Sequence, residues 1–122
     1  MKYRGWGYID HMVQTCEELF ECMENVNSAD ELTASVIKRR AVVMCLLDLG
    51  EMFKNLTDKE FDEYPSEHWH KIIGFRNRSA HGYHELNFEY VYHIVINRIP
   101  PLYAFLKKKA DSMEDPYDYV QP

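Results

Sequence analysis

The sequence predicts an all-α domain built on four main helices. Three observations carry this. Apolar residues recur at helical spacing along most of the chain, polar residues with N-cap chemistry stand just ahead of several of those stretches, and no repeat, low-complexity tract or linker interrupts them. With 122 residues the chain has room for one packed domain and not for two ordinary ones. Its 46% apolar and 14% aromatic content is globular rather than disordered. The expected organisation is one helical domain over residues 1–110, followed by a loose, acidic, proline-bearing tail over 111–122.

The first helix is placed at about residues 8–25, where Ile9, Met12, Val13, Cys16, Leu19, Phe20 and Met23 share one apolar stripe. Ser28, Ala29 and Asp30 form a connection with N-cap chemistry. The second helix is expected over about 31–54. It is amphipathic at its ends but almost wholly apolar over 41–47, the pattern of a helix central to a bundle or shared with a partner. Gly50 inside it costs about 1 kcal/mol in propensity, so a close helix contact is expected to compensate.

Ser66 can cap a third helix running to about residue 80, and Gly82 suits the left-handed position that stops it. Asn87 can cap the fourth, with Phe88, Val91, Ile94, Val95, Ile99, Leu102 and Phe105 continuing the core stripe. Pro100 and Pro101 remove two backbone donors and should kink or break that helix.

The segment Phe75-Arg76-Asn77-Arg78-Ser79-Ala80-His81-Gly82-Tyr83 gathers arginine, amide, histidine and tyrosine within nine residues. An imidazole titrating near neutrality can remove or return a proton. A permanently charged guanidinium can hold a phosphate whose charge grows in a transition state. These are groups that RNA phosphodiester cleavage can use without a metal. Alone, R-x-x-x-x-H is a weak signal, so the flanking order matters: Leu49-Gly50-Glu51 upstream, Trp69-His70-Lys71-Ile72-Ile73-Gly74 directly before, and residues 87–100 after.

In that order the pieces resemble the HepT-like toxin family of the HEPN superfamily. These are small all-helical ribonucleases encoded beside a nucleotidyltransferase antitoxin. The resemblance covers about residues 36–106, with the first helix matching only in its apolar pattern. Its most specific part is Arg76-Asn77 through His81-Gly82-Tyr83, against the family's R-N-x-x-x-H-x-Y. Where the family often has Pro directly before the Trp, this chain has His68 before Trp69 and its proline earlier, at Pro65.

The resemblance implies an up-down HEPN-type four-helix bundle with short additional helices, assembled as a homodimer with a composite site. It also implies RNA as substrate, an MNT-type nucleotidyltransferase antitoxin as partner, and no cofactor or metal. The 2′-hydroxyl would attack its own phosphate, with His81 as general base or acid, Arg76 clamping the non-bridging oxygens, and Asn77 bonding phosphate or orienting the histidine. Arg78 and Lys71 are further candidates for phosphate contact, Arg78 being equally readable as a solvated helix residue. Tyr83 reads either as a packed tyrosine or, by resemblance, as the hydroxyl to which the antitoxin adds AMP.

Arg76 and His81 are five positions apart, about 140° on a continuous helix. They would not share a face. Either the helix loosens at Ser79 and Ala80, or a two-fold dimer brings the motifs of two chains together.

Charge sets a second constraint. The net charge of −6 opposes RNA binding in bulk, yet between Glu67 and Glu85 there is no acidic residue, while Lys71, Arg76 and Arg78 lie there with His68, His70, His81 and His84. Acid concentrates at 58–67 and 111–118 instead. No H-x-x-x-H pair or carboxylate set marks a metal site, and His68, His70, His84 and His93 read as surface or interface residues. Cys16, Cys22 and Cys45 include no C-x-x-C pair and read as buried free thiols in a reducing compartment.

The N-terminus lacks a signal-peptide core, and the apolar run at 41–47 is too short to cross a bilayer, so a cytoplasmic protein is expected. A competing reading is a catalytically silent helical subunit that presents a nucleotide or substrate to the nucleotidyltransferase; a third is a dimerisation domain without chemistry.

Overall fold

The computed structural model describes residues 2–54, 74 and 86–112, which are helical apart from short connections, with no strand among them. In chain order the helices are α1 (Lys2–Cys22), α2 (Ala29–Ala34), α3 (Val36–Lys54), α4 (Phe88–Asn97) and α5 (Ile99–Ser112). The all-α expectation holds. Of the third expected helix only Gly74 is described, and it is helical; the caps assigned to Ser66 and Gly82 lie outside the described residues.

The first helix starts earlier than its apolar stripe suggests and stops three residues sooner. Its end is set by Asn25, whose φ of 68° places it in the left-handed region. A short polar side chain tolerates that conformation. The turn is closed by Met23 N–H donating to Leu19 C=O at 3.1 Å and Val26 N–H to Met23 C=O at 3.0 Å.

At the next helix, Ser28 caps α2 by accepting from Glu31 N–H at 3.2 Å, while the Glu31 carboxylate reaches back to Asn27 N–H. This reciprocal arrangement is close to a capping box.

The single helix expected over 31–54 is two helices. Ser35 is extended at φ −108°, ψ 109°. Its N–H closes α2 on Leu32 C=O, and its hydroxyl accepts from Lys38 N–H at 3.2 Å to open α3. Serine can satisfy a helix end with its own side chain, and here it ends one helix and begins the next. Farther on, Asn87 caps α4 as expected, its side-chain oxygen accepting from Glu89 N–H at 3.0 Å and Tyr90 N–H at 3.3 Å. The anticipated break falls at Arg98, just before the prolines. Pro100 and Pro101 then occupy the first turn of α5, where their missing donors would have no partner within that helix.

Helix α1 packs against both α3 and α5, while α4 packs against α2 and α5. The shared core takes Ile9, Met12, Cys16 and Leu19 from α1, Val42, Leu46, Leu49 and Phe53 from α3, Val91, Ile94 and Val95 from α4, and Ile99, Leu102 and Leu106 from α5. Gly50 is buried. The stripes read from the sequence therefore point inward, with Phe20, Met23, Phe88 and Phe105 at the core's edge.

Helix α3 does not bury its apolar run on all sides. Val36, Ile37 and Met44 are 53%, 82% and 60% exposed. Of residues 41–47 only Met44 faces out, while Val36 and Ile37 lie in the first turn of α3, ahead of that run.

Candidate functional site

The residues expected to act on RNA, Arg76, Asn77 and His81, with Arg78 and Lys71 as phosphate contacts and Tyr83 as the modified hydroxyl, all lie outside the described residues. What is described is the part of the chain that follows this segment in sequence, from Leu86 onward. Leu86 is half-buried against the core, Asn87 starts α4, and Phe88 packs beside it at the core's edge. The Arg39 guanidinium stands 5.7 Å from the centroid of the Phe88 ring, which ties the start of α3 to the start of α4. Arg39 also donates to Thr33 C=O, and Lys38 Nζ donates to Glu24 C=O at 2.6 Å. These cations are engaged in joining elements.

Beside Leu86 opens a cleft of about 430 Å³ between the start of α2 and the start of α4, lined by Ser28, Asp30, Thr33, Asn87, Phe88 and Glu89 among others. Two carboxylates in this lining disfavour a phosphodiester and suit a donor-bearing group instead. A smaller cleft of about 210 Å³ lies along α4 at Tyr90, His93, Ile94, Asn97 and Arg98. His93 is exposed and its Nδ1 shares a 2.9 Å hydrogen bond with Asn97, in keeping with the surface reading of that histidine.

Of the two clefts, the smaller holds a histidine and an arginine, His93 and Arg98, in one lining. Among the described residues no three His, Cys, Asp or Glu side chains converge as a metal site, and no helix is long and apolar enough to cross a membrane.

The thiols depart in part from the sequence reading. Cys16 and Cys45 are buried and free, whereas Cys22 is only half-buried. Burial, then the charges of Cys45 and Glu17, push Cys16 up to about 12. Cys45 is pushed to about 12 by burial and by its neighbours Cys22, Glu18 and Asp48.

With the frame established, comparison with known proteins decides the family. The model of the family described as "Ribonuclease HepT-like" matches residues 12–109, which takes in parts of all five described helices and the whole motif. The chain belongs to the HepT-like ribonuclease family. A candidate RNase of Caldanaerobacter subterraneus subsp. tengcongensis is 33% identical over 102 residues, covering 83% of this chain and 89% of that protein. A candidate RNase of Methanocaldococcus jannaschii is 29% identical over 91 residues, covering 67% of this chain and 75% of the relative. No solved structure gives a significant match. The matched span in this HepT-like chain begins inside α1, extending the resemblance read from the sequence toward the N-terminus.

Proposed function

We propose that this HepT-like chain is the toxin of a toxin–antitoxin pair, a homodimeric endoribonuclease that needs no metal and is silenced when its nucleotidyltransferase antitoxin adds AMP to Tyr83. The single observation that carries the reading is Arg76-Asn77 followed at the family spacing by His81-Gly82-Tyr83 in a chain matched by the ribonuclease family model.

In the proposed reaction His81 takes the proton from a ribose 2′-hydroxyl, and the oxygen attacks the adjacent phosphorus. The bond from phosphorus to the 5′-oxygen breaks. A protonated imidazole returns a proton to that oxygen, leaving a 2′,3′-cyclic phosphate and a 5′-hydroxyl. Arg76 neutralises the non-bridging oxygens as their charge grows, and Asn77 bonds phosphate or orients the imidazole. Lys71 and Arg78 lie within the acid-free window and can contact neighbouring phosphates. Val36, Ile37 and Met44, exposed on α3, support self-association.

The test is cleavage of a labelled RNA by the purified protein in excess EDTA. Wild type is expected to cut RNA and leave DNA intact, since DNA lacks the nucleophile. His81→Ala and Arg76→Ala are each expected to lose at least about a hundredfold in rate while keeping the helical circular dichroism of wild type. Activity that requires magnesium, or survives intact in His81→Ala, would refute the mechanism.

A further inference from the structure

The smaller cleft lies along α4 and gathers an aromatic ring, an imidazole, an amide and a guanidinium from Tyr90, His93, Asn97 and Arg98, with the buried Ile94 beneath them. Among the described residues its lining holds no carboxylate. These positions recur every three to four residues, so one face of the helix carries them, while Glu89 lines the larger cleft instead. The Tyr90 side chain is 37% exposed, open enough to meet a ligand.

Two of these groups are set as donors. Asn97 Nδ2 donates to His93 Nδ1 at 2.9 Å, which leaves the proton of the neutral imidazole on Nε2. Arg98 spends its backbone N–H on Ile94 C=O, and its guanidinium makes no ion pair or hydrogen bond among the described residues. Lys38 and Arg39, by contrast, are committed to joining elements.

We propose that this cleft is a subsite for one nucleotide of single-stranded RNA, with its base stacked on Tyr90 and the adjoining phosphate bonded by Arg98 and His93 Nε2–H. The inference rests on RNA being what the chain acts on. At about 210 Å³ the cleft is too small to enclose a whole cofactor, and one planar base with its phosphate at the rim suits it. About 12 Å of helical rise separates Tyr90 from Arg98, a gap narrowed by the length of an arginine side chain. Stacking accepts any base, so the subsite grips the strand without reading its sequence. Nine residues of chain join His81 to Tyr90, at most about 30 Å, so a strand held here lies within a few nucleotides of the proposed cleavage point.

Affinity is read by fluorescence anisotropy of a labelled single-stranded 2′-O-methyl RNA, which keeps base and phosphate but blocks the nucleophile, across a series of salt concentrations. Tyr90→Ala is expected to weaken binding about tenfold, and Tyr90→Phe, which keeps the ring, to bind as wild type does. Arg98→Gln is expected to weaken binding about tenfold and to lower the salt slope by about one. Lys107→Gln removes the same charge at an exposed position of α5 and is expected to change neither. Wild-type affinity in Arg98→Gln, or an equal loss in Lys107→Gln, overturns the subsite. Because Arg98 lies outside the core, that comparison decides even if Tyr90→Ala fails to fold. A wild-type protein that does not bind this strand also overturns it, and cleavage of unmodified RNA by the same preparation would leave the ribonuclease reading standing. Binding with the expected losses, but without cleavage of unmodified RNA, supports the subsite while refuting the cleavage mechanism.

Discussion

Tyr103 shows how single side chains hold this bundle in register. Its hydroxyl donates a 2.7 Å hydrogen bond to Glu17, and its ring meets Phe20 edge-on at 5.2 Å between centroids. Both contacts join α5 to α1. The bond to the Glu17 carboxylate, then partial burial, raise the Tyr103 pKa above its ordinary value of 10.0. A folded-state pKa above the unfolded one means that stability from this group is fully present below pH 10 and is lost as pH rises through the folded value. Tyr103→Phe is therefore expected to melt at a lower temperature than wild type at neutral pH, with the gap closing at strongly alkaline pH. Equal melting of the two proteins at neutral pH would assign the role of Tyr103 to ring packing alone.

Tyr83 calls for a different measurement, because its proposed role is chemical. Tyr83→Phe keeps the ring and removes only the acceptor oxygen. It is expected to fold and cleave RNA as wild type does, yet to gain no AMP mass when incubated with the cognate antitoxin and ATP. Modification of the variant to the wild-type extent would move the acceptor elsewhere. At this scale the caps at Ser28 and Asn87 were legible in the sequence because their chemistry is local. That α1 packs on α3 and α5 was not, because only tertiary contacts between residues distant in sequence bring those helices together.

Among the elements, α3 carries two opposed faces. Leu46 is fully buried, so Leu46→Ala is expected to cost about 2–5 kcal/mol through lost transfer energy and a residual cavity, read from urea unfolding at fixed protein concentration. Met44 is 60% exposed, and a charge there removes no core contact. Met44→Asp is expected to preserve the helical spectrum while shifting sedimentation from dimer toward monomer at micromolar concentration; an unchanged sedimentation profile would place the dimer contact on another face. The apolar periodicity gave the stripes of α1, α3, α4 and α5 correctly, since burial repeats every three to four residues whether or not a helix is interrupted. For the same reason it could not show the break at Ser35: Leu32 and Val42 are both buried, on opposite sides of a serine that ends one helix and starts the next. The break at Arg98 was announced by Pro100 and Pro101, whose effect reaches back along the chain through the carbonyls they cannot bond.

At the scale of the whole molecule, the motif was legible because its members are neighbours in sequence, but their mutual geometry was not. On one continuous helix Arg76 and His81 would diverge by about 140°. A two-fold dimer resolves this if the arginine of one chain serves the histidine of the other, and the apolar residues exposed on α3 supply a reason to dimerise. That arrangement has a consequence that a site contained in one chain lacks. Mixing Arg76→Ala chains with His81→Ala chains, after unfolding and refolding together, yields heterodimers in half of the population if pairing is random. In each heterodimer one site receives both intact residues and the other receives neither. Recovery of about a quarter of wild-type ribonuclease activity is expected from two preparations that are inactive separately. No recovery, with heterodimers verified by differential tagging, would mean that Arg76 and His81 act within one chain, and that the helix must instead loosen at Ser79 and Ala80 to bring them together.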